Sequence, residues 1–429
     1  MKVLPLALLI CSLLAPLTGQ RPKTVEAAIT GFEKVREQAE RNRHRAIKDL
    51  GRFAETDATT ILIAELERAK TLSYQETVMR AIGAKQRTGA LPALASMLSG
   101  ADNPRIADAA AAAMQRQGAP GIAALVAELA RSQGKYKQRN AICYALGRVS
   151  QGDAARDALL ADLQHTSGND RLSALRGLAA RKDDAKVDAA RVELAGDKNR
   201  AIAGTALRQL AAHRHPQAPA LAIRFSRSLP ATGSDDQHAA VVSGLLVALQ
   251  PEHYSELLAA ASRALDPFGT SNKDGWNRAF ADGAWSKWLA EHAPGQKAAT
   301  ERVVAARALA FAPASQRDLA SATLKKLLVQ RDATVVRAAA TSLLVVDPGE
   351  QTQAALAAVL KKGNEQTGPI ALAALHVLRQ TQAAWHQELL QLSKHKRPAL
   401  RTAALRALIT VPALQDARLE AAKNNLRYR

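Results

Sequence analysis

Six apolar residues, Leu50, Ile82, Met114, Leu146, Leu178 and Leu210, recur at a constant interval of 32 positions. Four residues before these landmarks stand Ala46, Val78, Ala110, Ile142, Ala174 and Ala206, and three before them Ile47, Met79, Ala111, Cys143, Leu175 and Leu207. Offsets of zero, three and four share one face of an α-helix, so each period carries a helix with the same buried stripe. Twelve positions beyond each landmark stands Leu62, Leu94, Val126, Ala158, Ala190 or Ala222, which predicts a second helix per period. Polar breaks such as Gly100-Ala101-Asp102-Asn103, Gly168-Asn169-Asp170 and Gly196-Asp197-Lys198-Asn199 supply helix-ending glycine and helix-starting Asp or Asn. A hairpin of this size cannot bury its own apolar face and has to stack on its neighbours. With 92 alanines and only 3% aromatic residues, the composition favours helix over strand throughout. The expected fold is all-α: an α-solenoid, a superhelix of stacked helical hairpins with a 32-residue repeat.

After several breaks an arginine opens the landmark helix (Arg105, Arg139, Arg171, Arg200), and a small residue follows the landmark in Ala145-Leu146-Gly147. The stretch Asn140-Ala141-Ile142-Cys143-Tyr144-Ala145-Leu146-Gly147-Arg148 resembles the HEAT-repeat pattern of armadillo-type α-solenoids, here in a bacterial exported form. That resemblance implies a curved rod whose concave side is lined by the landmark helices. It implies no particular activity, because HEAT-like folds host scaffolds, adaptors and a few enzymes.

The strict register ends at Leu210. Residues 231–298 open after Pro230 with the loop Ala231-Thr232-Gly233-Ser234-Asp235-Asp236, predict two helices between 237 and 265, and then enter an aromatic-rich insert at 266–292. Landmarks resume at Leu309, Leu343, Leu378 and Leu408, with spacings of 34, 35 and 30. The expected organisation is a leader at 1–19, an N-terminal repeat block at 20–230, an irregular helical segment at 231–298 and a C-terminal repeat block at 299–429.

The leader reads as a secretory signal: a basic start at Lys2, an apolar run from Val3 to Leu14, and small or turn-forming residues up to Gly19. Ile10 stands before Cys11 where a lipoprotein signal wants a small residue. The expected location is periplasmic or extracellular, and no later segment has the apolar length of a transmembrane helix. Removal of the leader would leave Cys143 as the one thiol, without an intramolecular disulfide.

With 59 Lys and Arg against 39 Asp and Glu, the chain carries a formal charge of +20 and suits an acidic partner. The position two before each landmark lies about 200° from the buried stripe. It reads Lys48, Arg80, Ala112, Tyr144, Arg176, Arg208, Arg307, Thr341, His376 and Arg406, with Arg52, Arg116 and Arg148 one turn further on. Stacked repeats would align Lys48, Arg80, Arg176, Arg208, Arg307 and Arg406 into a ladder that meets successive negative groups. The alternative is an ordinary solvated face whose long side chains cover apolar surface. The insert holds Trp276, Trp285 and Trp288 beside Phe268 and Phe280; it serves either as a plug between the repeat blocks or as a contact surface for a sugar or protein.

No nucleophile elbow, phosphate loop or haem-attachment motif occurs, and Cys143 falls on a core position. His213-Arg214-His215 offers two imidazoles without a third ligand, and Asp183-Asp184 and Asp235-Asp236 read as loop or helix-start carboxylates. The expectation is a non-enzymatic scaffold or binding protein without cofactor or metal, whose partner is first a protein and second an acidic polymer; export argues against nucleic acid. The competing reading is an enzyme or enzyme accessory with the Trp-rich insert in a ligand groove.

Overall fold

Twenty-four α-helices, joined by short turns and single 3₁₀ turns, make up the described chain, and no strand occurs among the described residues. The computed structural model describes residues 21–410 apart from 133–134, 150–152, 165–166, 231–233, 265, 269–271, 282 and 381. The leader at 1–19 with Cys11, the loop residues Ala231, Thr232 and Gly233, and the C-terminal stretch from 411 lie outside the described residues. No helix among the described residues is long and apolar enough to cross a membrane.

Local chemistry starts the helices where the polar breaks fall. Asn103 accepts from the Arg105 amide and Asn199 from the Ala201 amide, capping Pro104–Gln115 and Arg200–Ala212. Asp332 caps Ala333–Val346 through the amides of Thr334 and Val335, and Ser234 with Gln237 forms a capping box on Asp235–Leu245. At the break Gly168-Asn169-Asp170 the cap is Ser167, one residue ahead of the expected polar cluster, so Gly168 is already helical.

The chain divides into two compact units, Met1–Arg191 and Val192–Arg429. In the first, the landmark helices are Glu40–Leu50, Leu72–Ile82, Pro104–Gln115, Tyr136–Gly147 and Gly168–Gly177, the last continuing into a 3₁₀ turn at Leu178. Each packs on the next landmark helix, and the intervening helices Thr56–Arg68, Leu91–Ser99, Ala119–Arg131 and Asp153–Asp162 pack against them and against one another. The second unit repeats this arrangement in Arg200–Ala212 with Asp235–Leu245, and again along Ala299–Leu309, Ala333–Val346, Thr367–Arg379 and Pro398–Ile409.

The expected stripe is the core. Leu50, Ile82, Met114, Leu146, Leu178, Leu210, Leu309, Leu343 and Leu408 are all fully buried, as is Cys143, whose thiol is pushed up from its ordinary range by that burial. At about 25 cal/mol per Å² of apolar surface, each such leucine contributes roughly 2 kcal/mol.

Three assignments change. Leu378 is only half-buried, whereas Leu375 is fully buried with Ala371 and Leu372 on its stripe, so the landmark of that helix is Leu375. The spacings then become 32 from Leu343 and 33 to Leu408, and the exposed position two before the landmark is Ala373; His376 instead faces inward. The stripe also continues past Leu210 into Leu245, with Val241 and Val242 buried beside it. In the intervening helices the residue twelve beyond the landmark is buried at Leu62, Leu94 and Ala222, but Val126, Ala158 and Ala190 are half-buried and Leu125, Leu159 and Arg191 take the core place.

The two helices expected between 237 and 265 are Asp235–Leu245 and Tyr254–Ala261. The insert folds as Lys273–Ala281 and Ala284–His292, joined through Gly283, whose φ of 76° is a left-handed conformation open to glycine at little cost.

Candidate functional site

All six basic ladder residues are exposed: Lys48, Arg80 and Arg176 in the first unit, and Arg208, Arg307 and Arg406 in the second. The helical geometry that buries the landmark turns the position two before it outward.

In the first unit Lys48 and Arg80 line grooves between successive landmark helices. One, of about 770 Å³, holds His44, Lys48, Arg52, Arg80 and Lys85. The next, of about 330 Å³, holds Arg80, Arg105, Arg116 and Arg148, together with Glu76, Asp108 and Tyr144. Arg80 borders both, so the two grooves are neighbours and together form a trough lined by seven Lys and Arg (Lys48, Arg52, Arg80, Lys85, Arg105, Arg116 and Arg148) and two carboxylates, Glu76 and Asp108. Glu76 is largely buried and paired with Arg105 at 2.8 Å and with Arg80 at 3.5 Å. Desolvation by the groove walls pushes the Asp108 carboxyl above its ordinary range. The Arg148 guanidinium lies 5.6 Å from the ring centre of the exposed Tyr144, and Arg176 donates to the Tyr136 hydroxyl at 3.2 Å.

A second set of arginines faces inward, and neither composition nor the ladder position reveals it. Seven residues before the landmark, Arg43, Arg139, Arg171, Arg302 and Arg401 donate to main-chain carbonyls just ahead of their own helices, at Arg36, Leu129, Leu163, Gln296 and His395. Arg139 is almost completely buried and also pairs with Asp162 and Asp170. Arg87, 3% exposed, donates to the carbonyls of Ala81, Ile82, Leu50, Gly51 and Phe53, and so ties the ends of two landmark helices together. Carbonyls at a helix C-terminus carry partial negative charge and lack intrahelical partners, which is what a guanidinium fork satisfies. Part of the basic excess is therefore structural. The shared seven-residue offset is the sequence signal that separates Arg139 and Arg171 from the outward arginines.

In the second unit Arg208 pairs loosely with Asp236 at 3.5 Å, and no ion pair forms at Arg307 or Arg406 among the described contacts. Arg406 and Arg337 border an open groove of about 780 Å³ whose walls include Leu344, Ile370, Ala373 and Val377 and no carboxylate. This groove uses the same register positions as the basic trough but is largely apolar.

The three tryptophans come together inside the second unit. Trp276 and Trp285 are core residues, 4% and 1% exposed, and so offer no open face to a ligand. Trp276 donates to the Pro267 carbonyl at 2.6 Å and stacks on Phe280, and Trp285 meets Tyr254 edge-on. Trp288 is half-buried between Trp285 and His292, stacked at 5.4 and 4.6 Å between ring centres. Packing of this kind makes Trp276 and Trp285 part of the core of the second unit.

Asp184 accepts from the Lys186 and Val187 amides at a helix start, and the His215 Nδ1 accepts from the Gln217 amide in a turn. Among the described residues no three His, Cys, Asp or Glu side chains are grouped closely enough to hold a metal ion. Compared with known proteins, the chain matches no family model and no curated protein.

Proposed function

We propose that the chain is an exported, non-enzymatic binding protein of the HEAT-like α-solenoid type, whose first unit holds an extended acidic partner, a protein segment in first place and an acidic polymer in second. The observation that carries this reading is the pair of neighbouring grooves that meet at Arg80 and run from Lys48 to Arg148, with their seven cations and two carboxylates. Packed landmark helices stand about 8–10 Å apart, so the cations recur at that interval. A peptide in the polyproline II conformation rises about 3.1 Å per residue with three residues per turn, so an acidic side chain at every third position keeps the same step on one face. Tyr144 adds apolar contact between the charges.

The test is binding of a fluorescent, Glu-rich extended peptide to the protein, measured by anisotropy at low and moderate salt. Binding should weaken as salt screens the charges. A Lys48→Glu/Arg80→Glu/Arg176→Glu variant should lose it while keeping its helicity, since all three side chains are exposed. Unchanged binding in that variant would leave the ladder as a solvated face. The export reading is tested separately by the N-terminus of the protein recovered from cells: loss of residues 1 to about 19 supports it, and an intact Met1 in the cytoplasm overturns it.

A further inference from the structure

The residue two beyond the landmark is Arg52, Ala84, Arg116, Arg148 and Ala180 in the first unit; in the second it is Phe311, in the turn just after Ala299–Leu309, and Val345 and Val377 on the next two landmark helices. These three are 57%, 62% and 55% exposed, which makes a row of large apolar side chains facing water at one register position. Isolated exposed hydrophobics need no explanation, but a row carried by packed neighbours is an interaction surface. Beside it runs the open groove of Leu344, Ile370 and Val377, bordered by Arg337 and Arg406 without any carboxylate.

We propose that this face of the second unit docks an amphipathic helix with acidic flanks, supplied by a protein partner. The apolar row and groove span three helices, which at about 8–10 Å per neighbour is roughly 20 Å, the length of about 13 helical residues. An amphipathic helix buries one stripe and leaves the other in water, as an open groove requires. Glutamates beside its apolar stripe would meet Arg337 and Arg406. The other occupants fit less well. An acyl chain in an open groove keeps much of its surface in water, and a second copy packed through the same face would bring Arg337 and Arg406 against the same arginines across a two-fold axis. This site is independent of the basic trough, which lies in the other unit.

The experiment uses the full chain and a labelled peptide of about 14 residues with Leu at helical i, i+3, i+7 and i+10, two Glu flanking that stripe and Gln and Ala elsewhere, so that it lacks the run of acidic groups the trough needs, and a scrambled control of the same composition. The helical peptide should bind, and the scramble should bind at least about tenfold more weakly. Val377→Glu and, independently, Arg406→Glu should each weaken binding about tenfold. Both sites are exposed, so helicity by circular dichroism should stay unchanged. Arg80→Glu, which disrupts the trough, should leave this peptide unaffected, so failure of one site is distinguishable from failure of the other. Equal binding of peptide and scramble, or indifference to both substitutions, overturns the proposal. So does uptake of a fluorescent fatty acid without peptide binding, or a dimer in sedimentation equilibrium that Val377→Glu dissolves.

Discussion

In both units the stripe at the landmark and at three and four residues before it is apolar and, apart from the half-buried Ala46 and Leu405, buried, yet the two residues that follow the landmark diverge. The first unit has Gly51-Arg52, Gly83-Ala84, Gln115-Arg116 and Gly147-Arg148 after the landmark; the second has Ala310-Phe311, Leu344-Val345 and His376-Val377. The glycines matter for packing. A Cβ on Gly51 would fall 2.9 Å from Ala81, and one on Gly147 only 1.8 Å from the Gly177 carbonyl, so neighbouring helices of the first unit meet there almost backbone to backbone. Positions that set the fold and positions that set surface chemistry therefore lie on different sides of the same helix. A repeat can keep its core while exchanging a cationic trough for an apolar one.

The largest expected effect tests the half of this comparison the units share. Leu146→Asp and Leu343→Asp each place a charge where the leucine is fully buried, and each should cost on the order of 4 kcal/mol or unfold the surrounding hairpins. Arg176→Glu, on an exposed position of the neighbouring helix, should leave helicity and melting temperature nearly unchanged. Equal loss of helicity in core and surface variants would sink the assignment of faces.

Next comes the division between inward and outward arginines. Arg87→Met removes five carbonyl contacts and leaves helix-end acceptors buried without a donor, at a cost of about 3 kcal/mol. Arg80→Met, which breaks a long contact to Glu76, should cost about 0.5 kcal/mol or less. Urea unfolding of the two variants distinguishes them, and similar midpoints would mean that Arg87 is no more structural than Arg80.

How much of this was legible follows from what residue type can and cannot encode. The stripe was readable because three offsets agree in every period. It misled in Ala371-Leu372-Ala373-Ala374-Leu375-His376-Val377-Leu378, where Leu375 and Leu378 each head a complete set of apolar offsets. His376 turns inward to Trp385 and Thr410 and makes Leu375 the buried choice, a contact between helices that no local pattern contains. The exposed ladder residues were readable from helical phase. The interior arginines were hidden because a guanidinium bound to carbonyls and one in water are the same letter. Phe311, Val345 and Val377 were hidden because an apolar residue is the ordinary mark of burial.

A smaller effect sharpens the packing difference. Gly147→Ala should destabilise the first unit by about 2 kcal/mol, because the new methyl meets backbone that cannot rotate away. Gly204→Ala in the second unit meets the Phe225 ring at 3.5 Å, an ordinary contact, and should be neutral or gain up to about 1 kcal/mol of helix propensity. Thermal melts that show the same sign for both would remove backbone proximity as the distinction.

The smallest effect concerns protons, and it belongs to the second unit because the two buried imidazoles among the described residues, His238 and His376, lie there. The Trp385 Nε1 can only donate, so His376 Nδ1 at 3.2 Å must accept, and Nε2 then carries the proton that points to the Thr410 hydroxyl at 2.6 Å. Around this pair stand His386, Arg379 over the Trp385 ring, and Arg337 and Arg406 along the groove, none of which welcomes a further positive charge. Burial, and after it the neighbouring His386, holds His376 below its ordinary value of 6.5. Between the folded value and 6.5 the unfolded chain binds more protons, so stability is complete above that window and declines as pH falls through it. Asp347, held down to about 2 by hydrogen bonds from Lys325 and Ser321, loses its contribution only between 3.8 and about 2, so the two acid transitions stay separate. The second unit should lose about 1 kcal/mol between pH 7.5 and pH 5, roughly one buried hydrogen bond. His376→Gln keeps an acceptor for Trp385 but cannot titrate, and should flatten most of that slope, leaving a remainder from His238, which burial and Arg263 hold down in the same way. A slope unchanged by the substitution would place the acid sensitivity elsewhere and would leave the second unit distinguished from the first by its surface alone.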